Sequence, residues 1–251
     1  MIHSPPLATM TKPDSGPKRL YQRAEACALD GGFTVRLDDR PVRTPGRAKL
    51  VVPTLALAQA LAQEWADQGT HINPPAMPIN QMAQSAIDLV SANLAGVQSE
   101  LSTYAGTDLL CYRVETPVSL AERQHQAWQP WLDWAAEVYG ARLAVTDGII
   151  AIRQDPVALD RLKLAVKGFD HFRLAALQRA VTVSGSLILG LALARGALDG
   201  EQVCDLAEID DKYQIERWGD DIKLAAERDR RRRDLIAAGR YFRSIDQTSN
   251  P

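Results

Sequence analysis

The stretch Gly31-Gly32-Phe33-Thr34-Val35-Arg36-Leu37-Asp38-Asp39-Arg40-Pro41-Val42-Arg43-Thr44 decides the first half of the fold. Phe33, Val35 and Leu37 alternate with polar residues, the period-2 pattern of a half-buried strand. Asp38-Asp39-Arg40-Pro41 has the composition of a turn, and Val42 to Thr44 resumes the strand. Gly31-Gly32 marks a tight turn before it, and Leu50-Val51-Val52 reads as one more short strand. An antiparallel meander is therefore expected between Tyr21 and Pro53.

Working outward, Thr54 stands where an N-cap belongs, and Leu57, Leu61, Ala62 and Trp65 form a helical stripe that Gly69 ends. The proline-rich segment His71 to Pro78 is loop. A second helix is expected from Ile79 to Ala92 and a third from Gln98 to Ala105. Asp108 to Val114 reads as a strand returning to the sheet. Beyond Thr116-Pro117 the pattern becomes helical, starting with Leu120 to Tyr139, where Trp128, Trp131 and Trp134 lie along one broad face. Such a stripe is ordinarily core. A short apolar stretch, Leu143 to Ile152, interrupts the helices, which then continue to Phe242.

The expected class is α+β, with four segments. A disordered tail covers 1–17, and a β-rich N-terminal domain (antiparallel meander with helices) covers 18–116. An all-helical, orthogonal-bundle C-terminal domain covers 117–243, and a second disordered tail covers 244–251. The strongly apolar run Val181 to Ala194 is shorter than the roughly 20 residues of a membrane span and is expected as a buried helix. Gly190, four residues after Ser186, would let another helix approach closely.

Composition narrows the function. Of 251 residues 46% are hydrophobic and 24% charged, with a net charge of −2, so any functional charge must be local. Cys27, Cys111 and Cys204 form no CxxC pair, and the four histidines have no metal-ligand spacing, so no metal, cofactor or disulfide framework is expected. Phosphate-binding loops of the GxxxxGK[ST] type are absent. Ser186 fails the GxSxG pattern and falls within the apolar helix. The acid pairs Asp210-Asp211 and Asp220-Asp221 point to different helix faces, a poor arrangement for acid–base work. Catalysis is not expected.

Charge is uneven near the C-terminus. Asp199, Glu201, Asp205, Glu208, Asp210, Asp211, Glu216, Asp220 and Asp221 face only Lys212 and Arg217 as bases. Arg228 and Arg230 to Arg233 follow. Paired solvated helix faces explain the arginines, and four consecutive ones wrap round a helix rather than forming a nucleic-acid face. Trp218, beside helix-breaking Gly219 and among Glu216, Asp220 and Asp221, has the composition of a protein contact patch. The alternative is a buried Trp218 with merely solvated neighbours.

The run Tyr213-Gln214-Ile215-Glu216-Arg217-Trp218-Gly219 resembles the C-terminal signature of the assembly chaperones for the ATP synthase alpha subunit, found in mitochondria and alphaproteobacteria. Colinear segments agree: Lys18 to Tyr21, Leu37 to Pro45, Pro53 to Ala58, Glu64-Trp65, Ile72 to Pro78, Thr107 to Arg113, and Gly185-Ser186 with its apolar helix. The resemblance spans about Lys18 to Phe242. It implies the same two-part fold, no catalysis, cofactor or metal, and binding of unassembled alpha subunits before they join beta subunits. Carried over position by position, it puts weight on Glu216, Gln214 and Trp218, and on Asp210; Asp220 and Asp221 complete the expected partner-binding set.

One departure is Asp38-Asp39 where such chaperones commonly have Asp-Gly, which implies a strained or altered hairpin turn. A monomer is expected, with no nucleic-acid or membrane partner. The expected location is the bacterial cytoplasm, or the mitochondrial matrix in a eukaryote; the weakly basic N-terminal segment favours a bacterial protein. The competing function is general protein or nucleic-acid interaction through the acidic and basic patches.

Overall fold

The computed structural model describes residues 16–147 and 152–247. The expected N-terminal tail lies almost wholly outside these residues, as does the centre of the apolar stretch 143–152; the C-terminal tail expected from 244 is corrected at its start, because 244–246 is the last turn of a helix. Strand β1 (Ala24–Leu29) pairs antiparallel with β2 (Gly32–Leu37), Ala26 opposite Val35 and Leu29 opposite Gly32, and β2 pairs with β3 (Arg40–Pro41). The chain then loops back so that Val52 pairs with Phe33. Gly32 is required at this crossing: an added Cβ would lie 2.5 Å from the Val52 carbonyl oxygen. At the hairpin Asp38 takes a left-handed φ of 53°. Its carboxylate accepts from the N–H groups of Gln22 and Arg23 at 3.1 and 2.9 Å, which lowers its pKa and offsets the turn's conformational cost.

Helix α1 (Leu55–Ala66) covers this sheet. Thr54 caps it, its hydroxyl accepting from the Leu57 N–H at 3.2 Å and donating to the Ser244 carbonyl at 2.6 Å. Leu57 and Leu61 are fully buried beneath it, each worth about 1.5–3 kcal/mol of apolar transfer. Helix α2 (Pro78–Ser85) starts against the Glu64 carboxylate, which accepts from the Ile79 and Asn80 N–H groups and from the Asn80 side chain, each at 2.8 Å. Burial raises the Glu64 pKa in spite of these donors. A π-helical segment (Ala86–Val90) follows and turns Asp88 toward the 44–46 loop, where it binds the Thr44 hydroxyl and Gly46 N–H.

Helix α3 spans Leu94–Thr103, earlier than expected. The expected strand at 108–114 is corrected. Leu109–Cys111 is a 3₁₀ turn, and only β4 (Tyr112–Arg113) is extended, paired in parallel with β5 (Thr146–Asp147) and not with the N-terminal sheet. The cause is Asp108, whose carboxylate caps that turn through the Leu110 N–H and so diverts the chain.

Helix α4 (Val118–Tyr139) buries Trp128 completely, with Trp131 and Trp134 packed against the core. Helices α5 (Pro156–Lys167), α6 (His171–Ser184), α7 (Leu187–Ala194), α8 (Gly200–Ala207), α9 (Ile209–Trp218) and α10 (Ile222–Asp246) complete the chain.

The apolar run beginning at Val181 is two helices, not one. Gly185, at φ 73°, ends α6, and Ser186 is the N-cap of α7, accepting from the Leu189 N–H at 3.0 Å. Every residue of α7 is buried. A Cβ at Gly190 would meet Val181 Cγ2 at 2.6 Å, which fixes the close approach of α6 and α7. Helix α10 packs on α6, α8, α1 and α2, and one hydrophobic cluster joins Val35 of the sheet to Phe242. The α7 N-terminus is held by buried Asp108, which accepts from the Ser186 hydroxyl at 2.7 Å and the Ile188 N–H at 3.0 Å. Burial pushes its pKa up to about 6 against those hydrogen bonds.

Candidate functional site

Helix α9 has two faces with different duties. Tyr213 points inward, almost wholly buried, its hydroxyl 2.8 Å from that of Ser119. Asp210 also turns toward α4, accepting from buried Gln124 at 2.7 Å, while the other end of Gln124 accepts from the Val114 N–H. Asp210 therefore anchors α9 to α4 and to the residues after β4. Gln214 and Trp218, four residues apart, share the outward face, while Glu216, one turn after Tyr213, is exposed on the side toward α4.

Gly219, at φ 82°, stops α9, and α10 begins at Ile222. This elbow projects Trp218, 76% exposed, beside Ile222 at 89% and Leu224 at 56%. A shallow cleft of about 130 Å³ lies between the helices, lined by Asp211, Gln214, Ile215, Trp218, Asp220 and Leu224 among others. Among the described residues no other stretch this short carries three exposed large hydrophobic side chains. A buried Trp218 is excluded by the geometry.

The acids of the block have distinct partners. Glu216 is bound by Arg123 of α4 at 2.7 Å, both side chains about half exposed. The Arg123 and Arg217 guanidinium groups lie 5.4 and 4.8 Å from the Tyr213 ring centroid. Asp220 pairs with Arg228 and Asp211 with Arg231. Asp205 accepts from Lys212 at 2.7 Å and Arg232 at 3.4 Å, and the Lys212 hydrogen bond is the main cause of its lowered pKa. Asp221 is exposed at the elbow. The basic cluster thus neutralises the acidic block across helices, leaving the apolar group at the elbow as its least compensated feature.

Sequence reasoning missed Arg123, 93 residues before its partner in the chain, which no local pattern could reveal. It also passed over Ile222 and Leu224, whose signal was available: two large aliphatics just ahead of the charged run Glu227 to Asp234. No group of three or more His, Cys, Asp or Glu able to hold a metal occurs among the described residues.

The family model described as ATP12 chaperone protein matches residues 18–136. The crystal structure of Atp12 from Paracoccus denitrificans superposes with a TM-score of 0.85 at 41% identity, covering 91% of this chain and 98% of that one. The chain belongs to the ATP12 chaperone family. The structure of the Atu1473 protein from Agrobacterium tumefaciens is similar at 36% identity and a TM-score of 0.87, covering 92% of this chain and 87% of that one. The mitochondrial protein atp12 of Schizosaccharomyces pombe is 26% identical over 225 residues, 84% of this chain and 77% of that protein. The family's matching segment ends inside α4. The elbow therefore lies outside it, although the superposed structures cover nearly the whole chain.

Proposed function

We propose that this chain is an ATP synthase assembly chaperone that holds the unassembled alpha subunit through the α9–α10 elbow and passes it on for pairing with beta subunits. Membership in the ATP12 chaperone family supports the assembly role. The observation that carries the site is the exposure of Trp218 at 76%, next to Ile222 and Leu224, in a helix terminus ringed by charge. An apolar anchor of this kind gains affinity by desolvation, while surrounding charges set register. Glu216, kept in place by Arg123, offers a carboxylate to a basic group on the client. Gln214 and Asp221 flank the anchor. Asp220 and Asp210 act indirectly, by fixing the elbow and α9.

Covering an apolar subunit interface suppresses aggregation until the rightful neighbour binds more favourably, a hand-over that requires no ATP hydrolysis by the chaperone. A nucleic-acid reading is disfavoured by the pairing of Arg228, Arg231 and Arg232 with carboxylates. Co-purification with free alpha subunit tests the proposal. Glu216→Lys should weaken the complex about tenfold or more without lowering the melting temperature. An unchanged complex would remove Glu216 from the contact.

A further inference from the structure

A second basic segment lies in the N-terminal hairpin. Between Arg40 and Lys49 there are four bases (Arg40, Arg43, Arg47 and Lys49) and no acid. All four side chains are exposed, and among the described residues none forms an ion pair. They form one patch: Arg43 sits opposite Lys49 in the bridge register, and its guanidinium donates to the Arg47 carbonyl at 2.9 Å. Asp88 lies beneath, but its two oxygens are taken by the Thr44 hydroxyl and the Gly46 N–H.

The patch opens onto a groove of about 570 Å³ in which Arg40 and Arg43 stand with Asp38 and Asp39 beside Leu20, Leu37, Pro41 and Trp65. The groove wall is fixed. Tyr21 donates to the Trp65 carbonyl at 2.6 Å and packs edge-on against its ring, and Arg19 lies over the Tyr21 face. Leu20, 86% exposed, projects at the margin with no core contact to occupy it.

We infer that this groove docks an acidic peptide segment of a partner protein, one carrying aliphatic side chains among its carboxylates. Arg40 and Arg43, extended along the hairpin by Arg47 and Lys49, outnumber the lining carboxylates of Asp38 and Asp39, and Asp38 is already spent on the Gln22 and Arg23 N–H groups. With the apolar wall they supply the complementary charge and the anchor such a segment needs. Nucleic acid fits less well. Tyr21, an aromatic of the groove on which a base could stack, has its face covered by Arg19. A second copy's acidic block is also a poor occupant, since Asp205, Asp211 and Asp220 are already bound by Lys212, Arg231 and Arg228. The site shares no residue with the α9–α10 elbow, so it stands or falls independently of the client proposed there.

A short fluorescein-labelled peptide alternating Glu and Leu, titrated with the full chain and followed by anisotropy, tests it. Binding is expected, with amide shifts at residues 20–21 and 37–49, and is weakened about tenfold by raising the ionic strength to about 0.5 M. The Arg40→Glu/Arg43→Glu double variant and Leu20→Asp, each checked for an unchanged melting temperature, should each weaken it about tenfold. A Lys-Leu peptide and a single-stranded oligonucleotide should not bind there. Absence of Glu-Leu peptide binding, binding indifferent to both variants, or shifts centred on residues 210–224 would overturn the assignment. Preferential oligonucleotide binding would make the patch a nucleic-acid surface instead.

Discussion

The carboxylates of the core and those of the α8–α10 surface do opposite kinds of work. Asp108 and Glu64 are withdrawn from water and spend their oxygens on backbone N–H groups and on the Ser186 or Asn80 side chain, organising the starts of α7 and α2. Burial raises the pKa of both. Asp205, Asp211 and Asp220 stay near solvent and cancel arginines. The first kind determines the fold. The second leaves the elbow's apolar side chains, rather than its charge, as the distinguishing surface.

If that division is right, Asp108→Ala should have the largest effect. It leaves the Ser186 hydroxyl and two N–H groups buried without their acceptor, and a loss of about 3–5 kcal/mol in denaturant unfolding is expected. A loss under about 1 kcal/mol would mean that Asp108 is not the junction between the 3₁₀ turn and α7. Its pH signature follows from the sign of the shift. The folded pKa of about 6 lies above the ordinary aspartate value of 3.8. The contribution is therefore most favourable below pH 3.8 and is lost as pH rises through about 6. The stability of the wild type relative to Asp108→Asn should fall between about pH 4 and 6; a flat difference would contradict the buried titration.

Glu64→Gln comes next. The amide keeps one acceptor oxygen but loses the second and the negative charge at the α2 N-terminus, costing about 1–2 kcal/mol by thermal unfolding. Smallest is the surface ladder: Arg231→Ala or Arg232→Ala should cost about 0–1 kcal/mol, because exposed pairs are screened. A larger loss would show the ladder to be part of the fold after all.

Much of this was legible in the sequence. The hairpin followed from alternation at Phe33, Val35 and Leu37, and α1 from Thr54 and its stripe, because those signals are local. The strand expected at 108–114 failed because Leu109-Leu110-Cys111 is apolar in any conformation, while the deciding partner, the Ser186–Ile188 turn, lies 78–80 residues away. Ser186 was placed inside a helix for a related reason: hydropathy continues across Gly185-Ser186, and only the left-handed glycine shows the break.

The site was half legible. Trp218 and Glu216 stood out by composition, but the run Arg230 to Arg233 drew attention that the structure disperses. The inward turn of Asp210 depends on Gln124, a residue no periodicity would single out. Ile222 and Leu224 were readable and were overlooked beside the acids.

The central claim is that the elbow is a contact surface and not a structural one. Trp218→Ala, compared with wild type for binding to purified free alpha subunit by calorimetry, tests it directly. The account predicts affinity reduced by about 2 kcal/mol or more, with a melting temperature unchanged within error because Trp218 supports no core. Undiminished binding, or unfolding of the variant, would contradict it.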